Sequence, residues 1–241
     1  MSRKLLAIDR LEGKEWNLRG RVNWKKSGLD TFQGQPALRV FYGKGSGTSS
    51  DPGVGGVAFA AAPEGMGKRE AHMSFEVWFD KGWKWSKGGK IGGWFVGHGN
   101  ASGYRHSPTG SSHRIMWQRD GGAISYIYPP SDLKQEDPAL RAEGHGIAFF
   151  KDIFPAGTLK VGQWNRISIG IKMNTFTKDG KPNADGVATL TINGKTGTKS
   201  DIRWSRAPDL LISTFDFNTF FGGPDPAEVD CVAFYRNFVM A

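Results

Sequence analysis

Three segments near the middle of the chain carry residues suited to acid–base chemistry. Lys87-Gly88-Gly89-Lys90 sets lysines around glycines, which leaves an ammonium group open to approach. Ser112 to Trp117 and Ala123 to Tyr128 both alternate in the way that half-buried strands do, and Asp120-Gly121-Gly122 lies between them. We therefore interpret the last two segments as a hairpin.

The alternation determines which side chains of this hairpin project together. Arg114 and Met116 share one face of the first strand, and Tyr126 and Tyr128 share one face of the second. These even-numbered side chains lie on the same face of the hairpin only if even-numbered residues pair with each other across the two strands. This requires an odd number of residues in the loop. A three-residue loop, 120–122, meets this condition and predicts that Arg114 lies opposite Tyr128 and Met116 opposite Tyr126.

An arginine, a lysine and two tyrosines in one place could support β-elimination on a uronic acid polymer. In that reaction the carboxylate is neutralised, the proton on carbon 5 is removed and the glycosidic oxygen on carbon 4 leaves. The reaction needs a cation, a base and an acid, without a nucleophile. The alternative is ordinary cross-strand packing, because tyrosine is common in strands and packs well beside arginine.

The same residues resemble polysaccharide lyase family 14, a family of alginate and glucuronate lyases. The resemblance rests on Lys-Gly-Gly-Lys90, Ser112-x-Arg114-x-Met116-Trp117 and Tyr126-x-Tyr128, in this order and spacing. It implies a catalytic group made of Lys90, Ser112, Arg114, Tyr126 and Tyr128. Residues 37–46 resemble the early strand and loop of the family, so the candidate substrate-binding residues are Arg39, Tyr42 and Lys44.

The elements that must position these residues are predicted to be strands. The chain has 241 residues, 34 of them glycine, and period-two segments such as Ala71 to Phe79 and Trp164 to Met173 recur along it. Asn193-Gly194 is a hairpin turn signal. We predict an all-β fold, an antiparallel β-sandwich, and the resemblance implies a jelly roll whose concave sheet forms a basic cleft. We interpret residues 21–241 as this domain and residues 1–20 as an N-terminal segment, such as the remnant of a longer chain.

The charge balance indicates an acidic partner. Lys and Arg number 32 against 23 Asp and Glu, a formal net charge of +9. We expect that partner to be an acidic polysaccharide, and not nucleic acid, because the basic residues are scattered and no RNA-binding motif appears. No run reaches the length of a membrane helix and residues 1–20 lack the apolar stretch of a signal peptide, so we expect no membrane partner. A substrate in a cell wall would nevertheless require delivery outside the cell. We also expect a monomer.

The sequence predicts no cofactor or metal. One cysteine excludes cysteine-rich metal sites, and the five histidines show no metalloprotease spacing. The function predicted is therefore a lyase acting on a uronate polymer without metal, and the alternative is a non-catalytic sandwich module that binds acidic glycans. Arg114 is expected to lower the pKa of both tyrosine and lysine neighbours. Turnover should then rise from neutral to mildly alkaline pH, with Lys90, Tyr126 and Tyr128 all open as the base.

Overall fold

The alternating segments of the sequence form strands that pair into two antiparallel sheets. The computed structural model describes residues 4–6, 16–22, 26–47, 55–63, 66–99, 101–141, 144–222 and 225–241. The strands in these ranges are β1 Lys4–Leu6, β2 Arg19–Val22, β3 Gly28–Phe32, β4 Gln35–Tyr42, β5 Val57–Ala61, β6 Glu70–Phe79, β7 Gly88–Gly97, β8 Gly110–Gln118, β9 Ala123–Tyr128, β10 Ile147–Phe149, β11 Trp164–Lys172, β12 Gly186–Ile192, β13 Lys195–Ile202, β14 Ile212–Phe221 and β15 Cys231–Met240.

One sheet has eight strands and the other seven. The eight-stranded sheet, here called the back sheet, runs β13-β12-β11-β6-β15-β4-β3, with β1 added on β15. The seven-stranded sheet, here called the front sheet, runs β10-β9-β8-β7-β14-β5-β2. The prediction of an all-β antiparallel sandwich is confirmed. No helix in the described residues is long and apolar enough to cross a membrane.

The apolar side chains of the alternating strands meet between the two sheets. Met73, Phe75 and Val77 of β6 project from the back sheet, and Phe215 and Phe217 of β14 project from the front sheet, all at most 2% exposed. Each such side chain contributes about 1.5–3 kcal/mol by burial. Because side chains alternate along a strand, the residues between these apolar ones lie on the outer faces of the sheets.

Polar groups also tie the sheets together. The indole of Trp94 on β7 donates to the carbonyl of Ile169 on β11 at 3.0 Å. His113 on β8 lies 3.1 Å from the carbonyl of Gly170 and 2.5 Å from the Ser125 hydroxyl. Burial lowers the pKa of His113 to about 3, so its ring is neutral and holds the sandwich together rather than facing a ligand.

Parts of residues 1–20 also join the sandwich. Lys4–Leu6 pairs with β15, and Arg19 pairs with Ala60 of β5. Trp16 is buried in the core. The described parts of this segment therefore contact the domain that begins, in the sequence-based interpretation, at residue 21.

The β8–β9 hairpin forms as predicted, but its predicted register is wrong by two residues. Arg114 lies opposite Tyr126, and Ser112 lies opposite Tyr128. The predicted pairs were Arg114 with Tyr128 and Met116 with Tyr126. A shift of two residues preserves the side-chain period, so the predicted shared face survives.

The connection between the two strands explains the shift. Five residues, 118–122, lie between Trp117 and Ala123, the last residues whose Cα atoms pair, instead of the predicted three. Asp120 and Gly121 have φ of 54° and 74°, the left-handed conformation that a two-residue hairpin turn requires. The amide of Gly122 donates to Arg119, and the amide of Gln118 donates to Gly122. Two additional residues, 118 and 119, thus lie on the β8 side of the loop, so its length stays odd.

Candidate active site

The outer face of the front sheet brings the predicted catalytic residues together. Lys90 of β7 lies opposite Met116 of β8, so it shares the face of Arg114. Tyr126 of β9 lies opposite Arg114 on the other side. Residues far apart in the sequence thus converge because β7, β8 and β9 are adjacent strands.

Arg114 forms the floor of this site. Its side chain is 1% exposed although it projects away from the core, which places it in a recess. Its guanidinium lies over the ring of Phe95, 4.9 Å from the centroid. Among the described residues, its Nε and Nη2 atoms are buried and have no hydrogen-bond partner. Buried polar groups are normally paired, so these two donors are available to a planar anion such as a carboxylate.

Gly93 allows β7 to approach Arg114 closely. Gly93 is the strand partner of Arg114. A Cβ atom built on Gly93 would lie 2.6 Å from the Arg114 Cα, which is closer than real Cβ atoms come. Glycine at this position therefore lets the backbones of β7 and β8 approach each other closely beside Arg114.

Lys90 is the candidate base. It is 9% exposed, and its ammonium lies 5.6 Å from the Phe220 ring centroid. Burial, and then the positive charge of Arg114, lower the pKa of Lys90 to about 7. The lowering of the lysine pKa by Arg114 agrees with the sequence-based expectation, and burial is the larger cause. A large fraction of Lys90 is therefore neutral near pH 7 and able to accept a proton.

The two tyrosines form the remaining side of the group. Their ring centroids are 5.5 Å apart and the rings meet edge to face. Burial and the neighbouring Tyr128 raise the pKa of Tyr126, so the expectation that Arg114 lowers it is wrong for this residue. The amide of Tyr104 donates to the Tyr128 hydroxyl at 3.3 Å. Tyr126 thus keeps its proton over a wide pH range, as a general acid must.

Ser112 lies beside Arg114 but its hydroxyl is already used. The side chain is fully buried, and its Oγ donates to the carbonyl of Ala101. This bond fastens the loop before β8, the same loop whose Tyr104 contacts Tyr128. Ser112 therefore positions the loop around the site.

The structure does not bring the three candidate substrate-binding residues into this group. Tyr42 is fully buried in the core, with its hydroxyl bonded to Thr219 and Tyr235, which argues against a contact with substrate. Arg39 lies on the back sheet and donates to the carbonyl of Lys26 at 3.0 Å. The alternation of β4 explains both positions, since Tyr42 points inward and Arg39 points to the outer face of the other sheet.

Lys44 lies elsewhere on the surface. It is exposed and lines a pocket with Trp85, Lys87 and Arg119, at the end of β8 where the hairpin turns. Lys87, the first lysine of the Lys-Gly-Gly-Lys segment, pairs there with Asp225 at 2.7 Å. Lys87 is therefore paired with a carboxylate outside the site, whereas Lys90 lies in the site beside Arg114.

One acidic residue of the site was missed by the sequence reasoning. Asp216 of β14 is the strand partner of Gly93, so it projects from the same face as Arg114. Burial raises the pKa of Asp216, and the charge of Arg114 acts in the opposite direction. Its position between the buried Phe215 and Phe217 was a readable signal, because alternation puts Asp216 on the outer face.

The described ranges contain no group of three or more His, Cys, Asp or Glu side chains arranged to hold a metal ion. We therefore assign no metal ligands in them.

Comparison with known proteins identifies related chains. Residues 30–238 match the model of a family described as polysaccharide lyase 14. The crystal structure of an alginate lyase from a Chlorella virus is 53% identical, covers 98% of both chains and superposes with a TM-score of 0.93. The structure of a marine alginate lyase from Aplysia kurodai is 23% identical, covers 93% of this chain and 90% of its own, and superposes with a TM-score of 0.78, a likeness of fold.

A curated relative is longer than this chain. Exolysin of Paramecium bursaria Chlorella virus 1 is 29% identical over 171 residues, which are 63% of this chain. The match covers 25% of that protein, so the matched part of this chain corresponds to about a quarter of its length.

Proposed function

The chain belongs to polysaccharide lyase family 14, and from this premise we propose that it cleaves a uronate-containing acidic polysaccharide by β-elimination at the 4-O-glycosidic bond, leaving 4,5-unsaturated ends. The observation that carries the proposal is the buried guanidinium of Arg114, whose Nε and Nη2 have no partner in the described residues, next to a lysine whose pKa is about 7. A module that only binds acidic glycans would need the positive charge of Arg114, but it would not need a lysine with a lowered pKa. A lysine tuned to lose its proton serves a reaction.

Arg114 binds the carboxylate of the sugar that reacts. Charge develops on that carboxylate as the proton on carbon 5 leaves, and two fixed donors stabilise it more strongly in the transition state than in the ground state. The recess around Arg114 excludes water, which strengthens this interaction. The guanidinium thereby makes the proton on carbon 5 acidic enough to remove.

Lys90 removes that proton and Tyr126 supplies one to the leaving oxygen. The neutral amine of Lys90 is the base, because its pKa is lowered to about 7 and a base with a pKa near neutral pH is efficient there. Tyr126 is the acid, because its raised pKa keeps the phenol protonated. Tyr128 supports it through the contact of the two rings, and Ser112 holds the covering loop.

Alginate is the first polymer that we propose as substrate, because the Chlorella virus relative is an alginate lyase. The test is a panel of uronate polymers, with alginates of each epimer and polyglucuronate, followed by the ultraviolet absorbance of the unsaturated ends. We expect absorbance to grow with at least one of them. Binding to these polymers without any growth in absorbance would contradict the proposal and support the glycan-binding module instead.

Replacing each tyrosine with phenylalanine separates the two roles. Tyr126→Phe keeps the ring and removes only the hydroxyl, so we expect kcat to fall about 100-fold, as for the loss of a general acid. Tyr128→Phe should lower kcat about tenfold, because it removes the hydroxyl bonded to the Tyr104 amide. The measurement is kcat of both variants on the polymer that the panel selects. A larger loss for Tyr128→Phe would reverse the two roles, and wild-type rates for both would exclude tyrosine as the acid.

A further inference from the structure

A single row of paired residues crosses the front sheet at the level of Arg114. Cα pairing is continuous from β9 to β2 through each intervening strand. The members of the row are Tyr126, Arg114, Gly93, Asp216, Ala60 and Arg19. With strands about 4.8 Å apart, Asp216 lies about 10 Å from Arg114 along this row and Arg19 about 19 Å from it.

Two members of this row have small side chains. Gly93 and Ala60 are small and do not fill the space above them. Phe95 and Thr214, a pair from β7 and β14, stand on one side of the row. On the other side stand Lys90 and Phe220, paired on the same two strands. Because Gly93 and Ala60 are small, a chain laid across the strands can pass over the row at these two positions.

Asp216 has a carboxylate that the catalytic steps do not use. It lies in this row and, among the described residues, forms no ion pair within 4.0 Å. The hydrogen bond recorded for it is a long one, 3.4 Å from the Thr214 hydroxyl. An unpaired carboxylate in a recess is a strong acceptor for the hydroxyl groups of a sugar.

Arg19 closes the row at the other edge of the sheet. It is exposed and belongs to β2, the last strand of the front sheet. No ion pair of Arg19 occurs within the described ranges, so its guanidinium is free to bind a carboxylate. The row thus alternates a cation at Arg114, a hydroxyl acceptor at Asp216 and a second cation at Arg19.

We propose that this row is an extended binding groove in which Asp216 accepts hydroxyl groups of the sugar next to the one on Arg114, and Arg19 binds a uronate carboxylate further along the same polymer. The inference rests on the proposed function for the identity of the ligand. It sets the polymer axis across the strands of the front sheet. It also makes Asp216 a binding residue for the polymer and for short oligosaccharides, and Arg19 a binding residue for long substrates only.

The experiment compares Arg19→Ala with wild type on the polymer and on oligosaccharides too short to reach from Arg114 to β2. We expect KM for the polymer to rise about fivefold with kcat unchanged, as for the loss of one exposed ion pair. The short oligosaccharides should show no change. Arg119→Ala is the matched control, an exposed arginine at the turn end of β8, and it should leave both substrates unaffected. An effect of Arg119→Ala without one of Arg19→Ala would mean that the polymer runs along the strands, which overturns the proposal.

Asp216 is tested by two substitutions. Asp216→Ala should raise KM about tenfold for polymer and short oligosaccharides alike, because the adjacent sugar is present in both and loses a hydrogen bond to a charged group. Asp216→Asn keeps an acceptor oxygen and should recover most of that loss. If Asn behaves like Ala, the charge of Asp216 matters and not its acceptor, and the assigned contact with hydroxyl groups is wrong.

A binding measurement separates this proposal from the proposed function. Wild type and Arg19→Ala are run in native gels that contain alginate or polyglucuronate, where retardation measures binding without turnover. Weaker retardation of Arg19→Ala supports the groove even if no unsaturated ends form, in which case only the lyase activity fails. Equal retardation of the two proteins in every gel overturns the groove.

Discussion

Arg114→Ala is expected to lower kcat by about 10²–10³-fold while the protein folds normally. The size follows from the loss of the donors that stabilise developing charge on the carboxylate. Arg114→Lys should recover only part of the loss, because an ammonium cannot present two parallel N–H groups to a carboxylate. The measurement is kcat on the selected polymer, with Arg119→Ala as the control on the same hairpin.

The thermal stability of Arg114→Ala gives a second test, because we expect it to stay the same or increase while kcat falls. The Nε and Nη2 atoms of Arg114 are buried without partners in the described residues, and a buried unpaired donor costs about 1–3 kcal/mol. Removing the guanidinium removes that cost, so the thermal midpoint of Arg114→Ala should hold or rise. A fall in activity together with a large fall in the midpoint would indicate a structural role. Near-normal kcat would exclude Arg114 from the reaction.

The strands that the sequence predicted are those with apolar residues at every second position. Ala71 to Phe79 and Trp164 to Met173 became β6 and β11, and Asn193-Gly194 has the positive φ values of the expected turn. Burial on one face sets this pattern, so it can be read without the structure. The strands that were missed, such as β3 and β13, are edge strands with mostly exposed residues. Their strand character comes from pairing with a neighbour and leaves little trace in hydrophobicity.

The grouping of Arg114 with the tyrosines could be predicted because it depends only on whether the hairpin loop has an odd or an even number of residues. A five-residue loop and a three-residue loop give the same face, so the error in register did no harm. Asp216 could not be placed in the same way. It reaches Arg114 through the order β8-β7-β14, and β14 follows β8 by about a hundred residues in the chain. No local pattern states which distant strand becomes a neighbour.

Burial was the other quantity that the sequence could not supply. From charge alone, the sequence predicted lower pKa values for both lysine and tyrosine. The positive charge of Arg114 favours the neutral amine of lysine and the negatively charged phenolate of tyrosine. Desolvation disfavours the charged form of either group, so it adds to the effect of Arg114 on Lys90 and opposes it on Tyr126. These opposite shifts are the reason why we propose Lys90 as the base and Tyr126 as the acid, two roles that the sequence left open.

Lys90→Met is expected to lower kcat by about 10²–10⁴-fold, the range for loss of a general base. Methionine keeps the unbranched shape of the side chain and removes the amine. Lys87→Met is the matched control from the same Lys-Gly-Gly-Lys segment, and it should keep normal kcat because Lys87 is exposed and paired with Asp225. Retention of wild-type kcat by Lys90→Met would rule out the amine as the base.

The pH profile identifies the same group independently. The active form of Lys90 is the neutral amine, so kcat/KM of the free enzyme should rise with pH through about 7 and then level off. A bound uronate carboxylate stabilises the ammonium, so the rise in kcat should come at higher pH than the rise in kcat/KM. In Arg114→Ala the lysine loses a cationic neighbour, so the rise in residual activity should also move to higher pH. A profile that falls across this range, or one that Arg114→Ala shifts to lower pH, would exclude Lys90 as the base.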